Sequence, residues 1–430
     1  MSTEEIYELF VEHPIISTDS RQIEKGCIFF ALKGENFNGN KYAESAISKG
    51  AAYSIIDEEE YNTSENTILV KDVLKALQDL AAFHRKQLAI PILGITGTNG
   101  KTTTKELIAT VLSKKFKVSF TQGNLNNHIG VPLTLLRMNS ETEFGVVEMG
   151  ANHQGEIAEL CQIALPDYGI ITNIGQAHLE GFGSFDGVKK TKGELYNYIS
   201  QKKGVIFYNS DNPLLEELSA SIKNKISYGT KDATFTGVPI QSPPFIHVKA
   251  NFAKGVLYLN SNLIGDFNFE NILAAACIAN YFGVDPLKIQ EAIKKYHPTN
   301  NRSQLIKKGD VKIIMDAYNA NPTSMSASIN SFLSNLSGKN YLILGDMLEL
   351  GDYSAAEHSK IIDLIPELIA KNTFLVGKEF YKSGKNSALK TFLNVDELYS
   401  YLKSNPIKNG NILIKGSRGI RLEKILEIFS

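Results

Sequence analysis

The residues with the plainest chemical capacity run GITGTNGKTTTKE, from Gly94 to Glu106. Glycines let a backbone turn sharply and bring its N–H groups against anionic oxygens at a helix N-terminus. A lysine in the position of Lys101 can reach the β- and γ-phosphates of a nucleotide, and the hydroxyl of Thr102 or Thr103 can ligate Mg²⁺. The stretch therefore predicts a phosphate-binding loop made of Gly97, Thr98, Asn99, Gly100, Lys101, Thr102 and Thr103. Its spelling is unusual. The common pattern is glycine, four residues, then Gly-Lys-Ser/Thr, and here Ile95 stands where the first glycine belongs, with glycines at 94, 97 and 100 instead.

Other polar residues recur just after apolar runs. Glu148 ends FGVVE, His178 lies in TNIGQAHLEGFGS, and Lys192 lies in VKKTKGELY beside Lys189 and Lys190. Asn124, Asn126, Asn127 and His128 fill a polar loop before an apolar helix; Asn268 and Asn271 head another. Towards the C-terminus come Arg302 in NNRSQ, then Asp316, Tyr318, Asn319 and Asn321 in DAYNANPTSM. Asp346, Glu349 and His358 follow in DMLELGDYSAAEH, and Lys415 opens KGSRG. Each has a plain reading on sequence alone. Glu148 is a strand-end carboxylate, His178 a structural histidine, Lys192 a solvated helix lysine, and Asn268 a helix cap.

The elements that must position these residues alternate regularly from Ile90 onward. PILGIT, KVSFT, EFGVVEM, YGIITNI and GVIFYN read as buried strands, with helices predicted at 102–115, 129–138, 155–163 and 186–199. Buried strands alternating with amphipathic helices imply a mainly parallel sheet covered on both faces. Residues 233–265 read as short antiparallel strands, and 268–282 and 286–296 as helices. After HPTNNR, a third unit repeats the pattern with strands VKIIMDAY, NYLILGD, TFLVG and GNILIKG and helices at 324–336, 355–370, 395–404 and 420–428. The first unit is a small α/β domain with one amphipathic helix near residues 42–49. The expected fold is α/β in three domains: 1–88, a small N-terminal domain; 89–298, a central phosphate-loop domain; and 299–430, a Rossmann-like C-terminal domain.

Composition narrows the function classes. A net charge of -1 gives no electrostatic footprint for nucleic acid. Cys27, Cys161 and Cys277 are far apart, with no zinc spacing, which implies free thiols in a reducing compartment. No apolar run approaches the roughly 18 residues of a membrane span, and MSTEEIYELF carries acids where a signal peptide carries bases. The expectation is a cytoplasmic protein, monomeric, without membrane insertion or nucleic-acid partner.

GITGTNGKTTTKE resembles the Mur ligase and folylpolyglutamate synthetase family, whose loops run Thr-Gly-Thr-Asn-Gly-Lys-Thr/Ser. The resemblance implies an ATP-dependent amide ligase working with Mg²⁺, two ions being expected. Glu148 and His178 match metal-ligand positions, with Thr102 completing them, and Lys192 matches a lysine that CO₂ carbamylates. Lys101, Lys192 and His178 are thereby the implied catalytic residues. Asn271, Arg302 and Asp316 fall to the nucleotide, and Asn124, Asn127 and His128 to the acceptor substrate loop. The DAYNANPTSM and DMLELGDYSAAEH segments resemble the family branch that adds D-Ala-D-Ala to UDP-MurNAc-tripeptide through an acyl phosphate. That implies substrate roles for Tyr318, Asn319, Asn321, Asp346, His358 and Lys415, and a UDP-side role for Ser20 and Arg21. The rivals are the folylpolyglutamate and single-amino-acid ligases. A nucleotide switch is the rival from another class, against which the guanine-reading Asn-Lys-x-Asp is absent.

Overall fold

The computed structural model describes residues 1–177, 179–299, 301–384 and 389–429. Three main sheets follow one another along the chain. The first is four-stranded and parallel, in the order Ile16–Ser17, Ile28–Phe30, Tyr53–Ile56, Thr67–Leu69. The second has nine strands and the third six.

In the nine-stranded sheet, Ile92–Thr96 lies between Tyr168–Ile171 and Phe144–Glu148, all parallel. The chain leaves Ile92–Thr96 toward one side of the sheet and later returns to its other side. This makes the C-terminal end of that strand a topological switch point, where ligands bind in such sheets. The register sets Glu148 opposite Ile95 and Ile171 opposite Thr96. The expected antiparallel strands are Phe235–Ser242, Phe245–Phe252 and Gly255–Leu259, and they extend the same sheet. In the third sheet Val311–Asp316, Gly410–Lys415, Asn340–Gly345, Thr373–Val376 and Lys390–Phe392 are parallel, and Gln304–Lys308 adds an antiparallel edge.

Three expectations about helices need correction. The first unit carries helices Thr3–Glu12 and Val73–Leu88 besides Ala43–Ser48. The first is started by a capping box in which Ser2 and Glu5 satisfy each other's backbone amides. The helix expected at 355–370 divides into Ser354–Asp363 and Glu367–Ala370 around Pro366, whose ring excludes a continuous helix. The expected last helix is instead two 3₁₀ segments, Arg418–Ile420 and Leu422–Ile428, separated by Arg421 at φ +59°.

The first two sheets are bound together. Ile6, Phe10, Val73, Leu77 and Leu80 share one buried cluster with Val131, Leu135, Ile157 and Leu160 of the central unit. Arg85 seals the contact, donating to Asp167 at 2.8 Å and to two backbone carbonyls, those of Ala164 and Leu165. The third unit has its own core, which the central unit enters through Ile264. All three cysteines are buried and free. Among the described residues no helix is long and apolar enough to cross a membrane.

Candidate functional site

The strand Ile92–Thr96 is buried along its whole length and stops at Thr96; helix Lys101–Leu112 starts four residues after Gly97. Ile95 is therefore a core strand residue packed with Leu93, Leu107 and Val146, and the glycines are needed two residues later. Gly97 has φ +141°, and a Cβ there would lie 2.1 Å from Thr172 Oγ1. Gly100 has φ +77°, and a Cβ there would lie 2.7 Å from Asn271 Oδ1. The loop between them is pinned from the neighbouring strand end. Thr98 and Asn99 donate their backbone N–H groups to the backbone oxygen and side chain of Asn173, both at 2.9 Å. Thr172 Oγ1 donates to the Asn99 carbonyl at 2.6 Å. Lys101 folds back over its own loop, donating to the carbonyls of Gly97 and Thr98 at 2.7 and 3.0 Å. Burial chiefly, with Arg302 nearby, pushes its ammonium down to about 8. A phosphate replacing those carbonyls would restore the charge.

Glu148 is 2% exposed. Its Oε1 accepts from Asn126 Nδ2 at 2.8 Å and from Thr102 Oγ1 at 3.2 Å, while Oε2 is buried with no hydrogen-bond partner. Thr102 is thus the hydroxyl on the carboxylate, and Thr103 faces the cleft. An orphaned carboxylate oxygen beside a helix-start hydroxyl suits a hard cation. Among the described residues no three His, Cys, Asp or Glu side chains converge into a protein cage. Mg²⁺ is ordinarily held by one or two carboxylates together with substrate phosphates, and Glu148 with Thr102 fits that mode. His178 lies outside the described residues.

Lys192, on helix Phe185–Gln201, is 2% exposed. No described residue makes an ion pair or hydrogen bond with its amine, which sits 5.3 Å from the centre of the Phe182 ring. Burial first, then the Lys101 charge, pushes it down to about 7. Such an amine is substantially neutral at physiological pH, the state in which it is nucleophilic.

A cleft of about 840 Å³ joins the phosphate loop to the third unit. Thr98, Asn99, Gly100, Lys101, Thr102, Thr103 and Glu148 line one part of it, and Asn124, Asn127 and His128 border them. Asn271 lines it too, accepting from Thr104 Oγ1 at 2.9 Å and donating to Asn268 Oδ1 at 2.8 Å. Asn268 is no cap: its amide donates to the Ile264 carbonyl, and the helix start has no side-chain cap. Opposite lie Arg302, Asp316, Tyr318, Asn319 and Lys415. The paired strand ends set Asp316 against Lys415, and Lys415 Nζ donates to Asp316 Oδ2 at 2.6 Å. Two guanidiniums approach the Tyr318 ring, Arg302 at 3.8 Å and Arg418 at 5.6 Å from its centroid. Arg302 Nε is buried without a hydrogen-bond partner.

Other expected residues lie off the cleft wall. Gly97 is not among the residues lining the cleft. Asn321 caps helix Pro322–Asn335 and crosses to Asn99 of the phosphate loop. Asp346 accepts the backbone N–H groups of Glu379 and Phe380 at 2.9 and 2.8 Å, and burial raises its carboxyl above the ordinary range. His358 accepts from the Met347 N–H at Nε2, 3.1 Å away, and Nδ1 lies 2.7 Å from the Ser354 carbonyl, which fixes the proton on Nδ1. Both brace the loop that carries Glu349 to the cleft. Ser20 and Arg21 are in the first unit: the Ser20 carbonyl accepts from Lys49, and the exposed Arg21 binds its neighbour Asp19 at 2.7 Å.

Sequence reasoning missed Thr172 and Asn173, which hold the phosphate loop, and Arg418 beside Tyr318. TNIG after YGIIT is itself a strand end, but which strand end neighbours the loop is decided by sheet order, which no local pattern states. It also passed over Lys105, whose helical spacing puts it on the same face as Lys101.

Comparison with known proteins extends over nearly the whole chain. Family models described as Mur ligase middle domain, as Mur ligase, glutamate ligase domain, and as Mur ligase family, catalytic domain match residues 95–279, 301–418 and 13–85. The UDP-N-acetylmuramoyl-tripeptide--D-alanyl-D-alanine ligase of Bacillus subtilis is 36% identical, covering 98% of this chain and 94% of its own. Among solved structures, MurF of Acinetobacter baumannii is 31% identical with a TM-score of 0.87, covering 96% of this chain and 92% of that one. MurF ligase of Thermotoga maritima, in complex with ADP, is 26% identical with a TM-score of 0.85, covering 96% of each chain.

Proposed function

The chain belongs to the Mur ligase family, and from that premise we propose that it joins D-Ala-D-Ala to UDP-MurNAc-tripeptide at the expense of ATP, in peptidoglycan precursor synthesis. One observation carries the reading beside the family. A single cleft runs from the phosphate loop and Glu148 to the loops holding Tyr318, Asn319 and Lys415, so a phosphate donor on the one side and a second substrate on the other would share one volume.

A carboxylate is a poor acyl donor because its leaving group would be oxide; phosphorylation gives it phosphate to lose. ATP would lie on the loop from Gly97 to Thr103, with Lys101 leaving the Gly97 and Thr98 carbonyls for the β- and γ-phosphates. Asn271 would hold the base side, and Arg302 and Asp316 the phosphate and ribose side. Thr102 and Glu148 would hold Mg²⁺, His178 and a carbamylated Lys192 would contribute to two ions in all, and the bound ions would supply charge neutralisation as two anions approach. The lowered amine of Lys192, which no described residue pairs, supports the carbamate, because only an unprotonated amine adds CO₂. The incoming dipeptide amine would attack the acyl carbon, the cations of the loop would stabilise the oxyanion, and its collapse would break the C–O bond, expelling inorganic phosphate while the amine loses a proton to solvent. Asn124, Asn127 and His128 would take the acceptor, and Tyr318, Asn319 and Lys415 the dipeptide. Asn321, Asp346 and His358 act by placing those loops. Ser20 and Arg21 would take the UDP portion, in a first domain ending near residue 88, with the central domain ending near 298. The protein is read as a cytoplasmic monomer.

The experiment is phosphate release with ATP and UDP-MurNAc-tripeptide, with and without D-Ala-D-Ala. Release dependent on D-Ala-D-Ala, and not on glutamate, lysine or diaminopimelate, is the expected result. Stimulation by one of those amino acids instead would transfer the protein to another branch, and hydrolysis indifferent to every acceptor would make it a nucleotide switch.

A further inference from the structure

Lys105 is 1% exposed, on the buried face of helix Lys101–Leu112, one turn beyond Lys101. Its sole carboxylate neighbour within 4 Å among the described residues is Glu148, with Nζ 3.6 Å from Oε2. That is the same Oε2 that no hydrogen bond satisfies. A charge-assisted N–H···O bond closes to about 2.7–2.9 Å, so this cation supports the oxygen by charge while leaving its lone pairs unused. The other contact of the ammonium is the ring of Phe120, 5.8 Å from its centroid. Burying a lysine is costly unless its charge is matched, and Glu148, with Glu106 further off, supplies the matching charge.

We infer that Lys105 is a positioning residue that serves as the resident counter-cation of Glu148, holding its carboxylate aimed while opposing the charge of any divalent ion that binds there. The inference rests on the assignment of Glu148 as a metal ligand in the proposed function. Oε1 is fixed by Asn126 and Thr102, and Lys105 lies beside Oε2, so the carboxylate is set in orientation before an ion arrives. With the ion present, two cations share one carboxylate and repel each other. The consequence is an ion held weakly enough to exchange with the nucleotide at each turnover. A lysine with a merely space-filling role would have no such effect on ion affinity.

The test is Mn²⁺ binding to the ADP complex, followed by electron paramagnetic resonance, in the full-length wild type, Lys105→Met, Lys105→Gln and Glu148→Gln. Methionine removes charge at nearly constant shape; glutamine removes charge but keeps a donor, and decides the matter if the methionine variant does not fold. Both lysine variants are expected to bind Mn²⁺ on the order of tenfold more tightly than wild type, from the loss of a cation a few ångströms away. Without divalent ion they should melt at lower temperature, the deficit closing as Mn²⁺ is added. Unchanged or weaker Mn²⁺ binding in the lysine variants, with binding still lost in Glu148→Gln, overturns the role of Lys105 alone. Undiminished binding in Glu148→Gln overturns the metal site itself, independently of dipeptide-dependent phosphate release.

Discussion

Asn321 and Asn99 face each other amide to amide across two domains. Asn321 Nδ2 donates to Asn99 Oδ1 at 2.8 Å, and Asn99 Nδ2 lies 3.5 Å from Asn321 Oδ1. The phosphate loop and the helix that follows DAYNA are therefore in direct communication, 222 residues apart in sequence. Asn321 does a second thing at the same time, since its Oδ1 accepts the Ser324 N–H at 2.8 Å and caps its own helix.

The two asparagines should accordingly respond differently to truncation. Asn99→Ala removes only the bridge, a net of about 0.5–1.5 kcal/mol, whereas Asn321→Ala also removes a cap worth about 1 kcal/mol. Urea unfolding should rank Asn321→Ala below Asn99→Ala, and the double variant should be less destabilised than the sum. Strict additivity would mean the bridge contributes nothing in solution.

The loop glycines make a second contrast. A methyl at residue 97 meets Thr172 Oγ1 at 2.1 Å and the Thr172 backbone nitrogen at 3.0 Å, so nothing there can yield cheaply. At residue 100 the three nearest atoms all belong to the side chain of Asn271. Gly97→Ala should weaken ATP binding by about 3 kcal/mol or more, roughly a hundredfold. Gly100→Ala should be milder and partly recovered by Asn271→Ala, as far as the positive φ allows. Calorimetric titration with an ATP analogue measures both, and equal losses would contradict the geometry.

Lys192 gives a prediction with a sign in pH. Its amine is near 7 when folded and 10.5 as a free side chain. The unfolded chain thus binds more protons between those values, and wild-type stability rises with pH through that window. Lys192→Met should therefore be more stable than wild type, by about 1–3 kcal/mol below pH 7, with the advantage shrinking toward pH 10. Melting scans in CO₂-free buffer with chelator test this. The same variant should lose ligase activity, and Lys192→Ala should regain some with acetate or formate if a carbamate normally provides the carboxylate. An active, unimpaired Lys192→Ala would remove the lysine from the mechanism.

Much of this architecture was readable before any coordinates, because buried strands and amphipathic helices alternate with different periods. The phosphate loop is legible from composition, and the oddity of Ile95 resolves into a strand that continues through Thr96, so that the first loop glycine falls two residues later, at Gly97. What stayed hidden was lateral. Thr172 and Asn173 support the loop only because their strand is the neighbour of Ile92–Thr96, and Asn99 meets Asn321 only because two sheets face one cleft. Lys105 looked like any helix lysine, since periodicity assigns a face but not the carboxylate opposite. Asp346 and His358 read as site residues by resemblance; their bonds go to backbone amides and carbonyls that hold a loop in place.

The apolar cluster shared by the first two units decides how the chain can be dissected. A cut after Leu88 would strip Leu77 and Leu80 from Val131 and Leu135, leaving a greasy scar on both fragments and a guanidinium, Arg85, severed from Asp167. A cut near residue 298 disturbs less, exposing Ile264 and Phe245 and breaking a handful of polar bridges. For expression, labelling or screening, these contacts predict two separable pieces, residues 1–298 as one block and the remainder as the other, which separate expression of each would check.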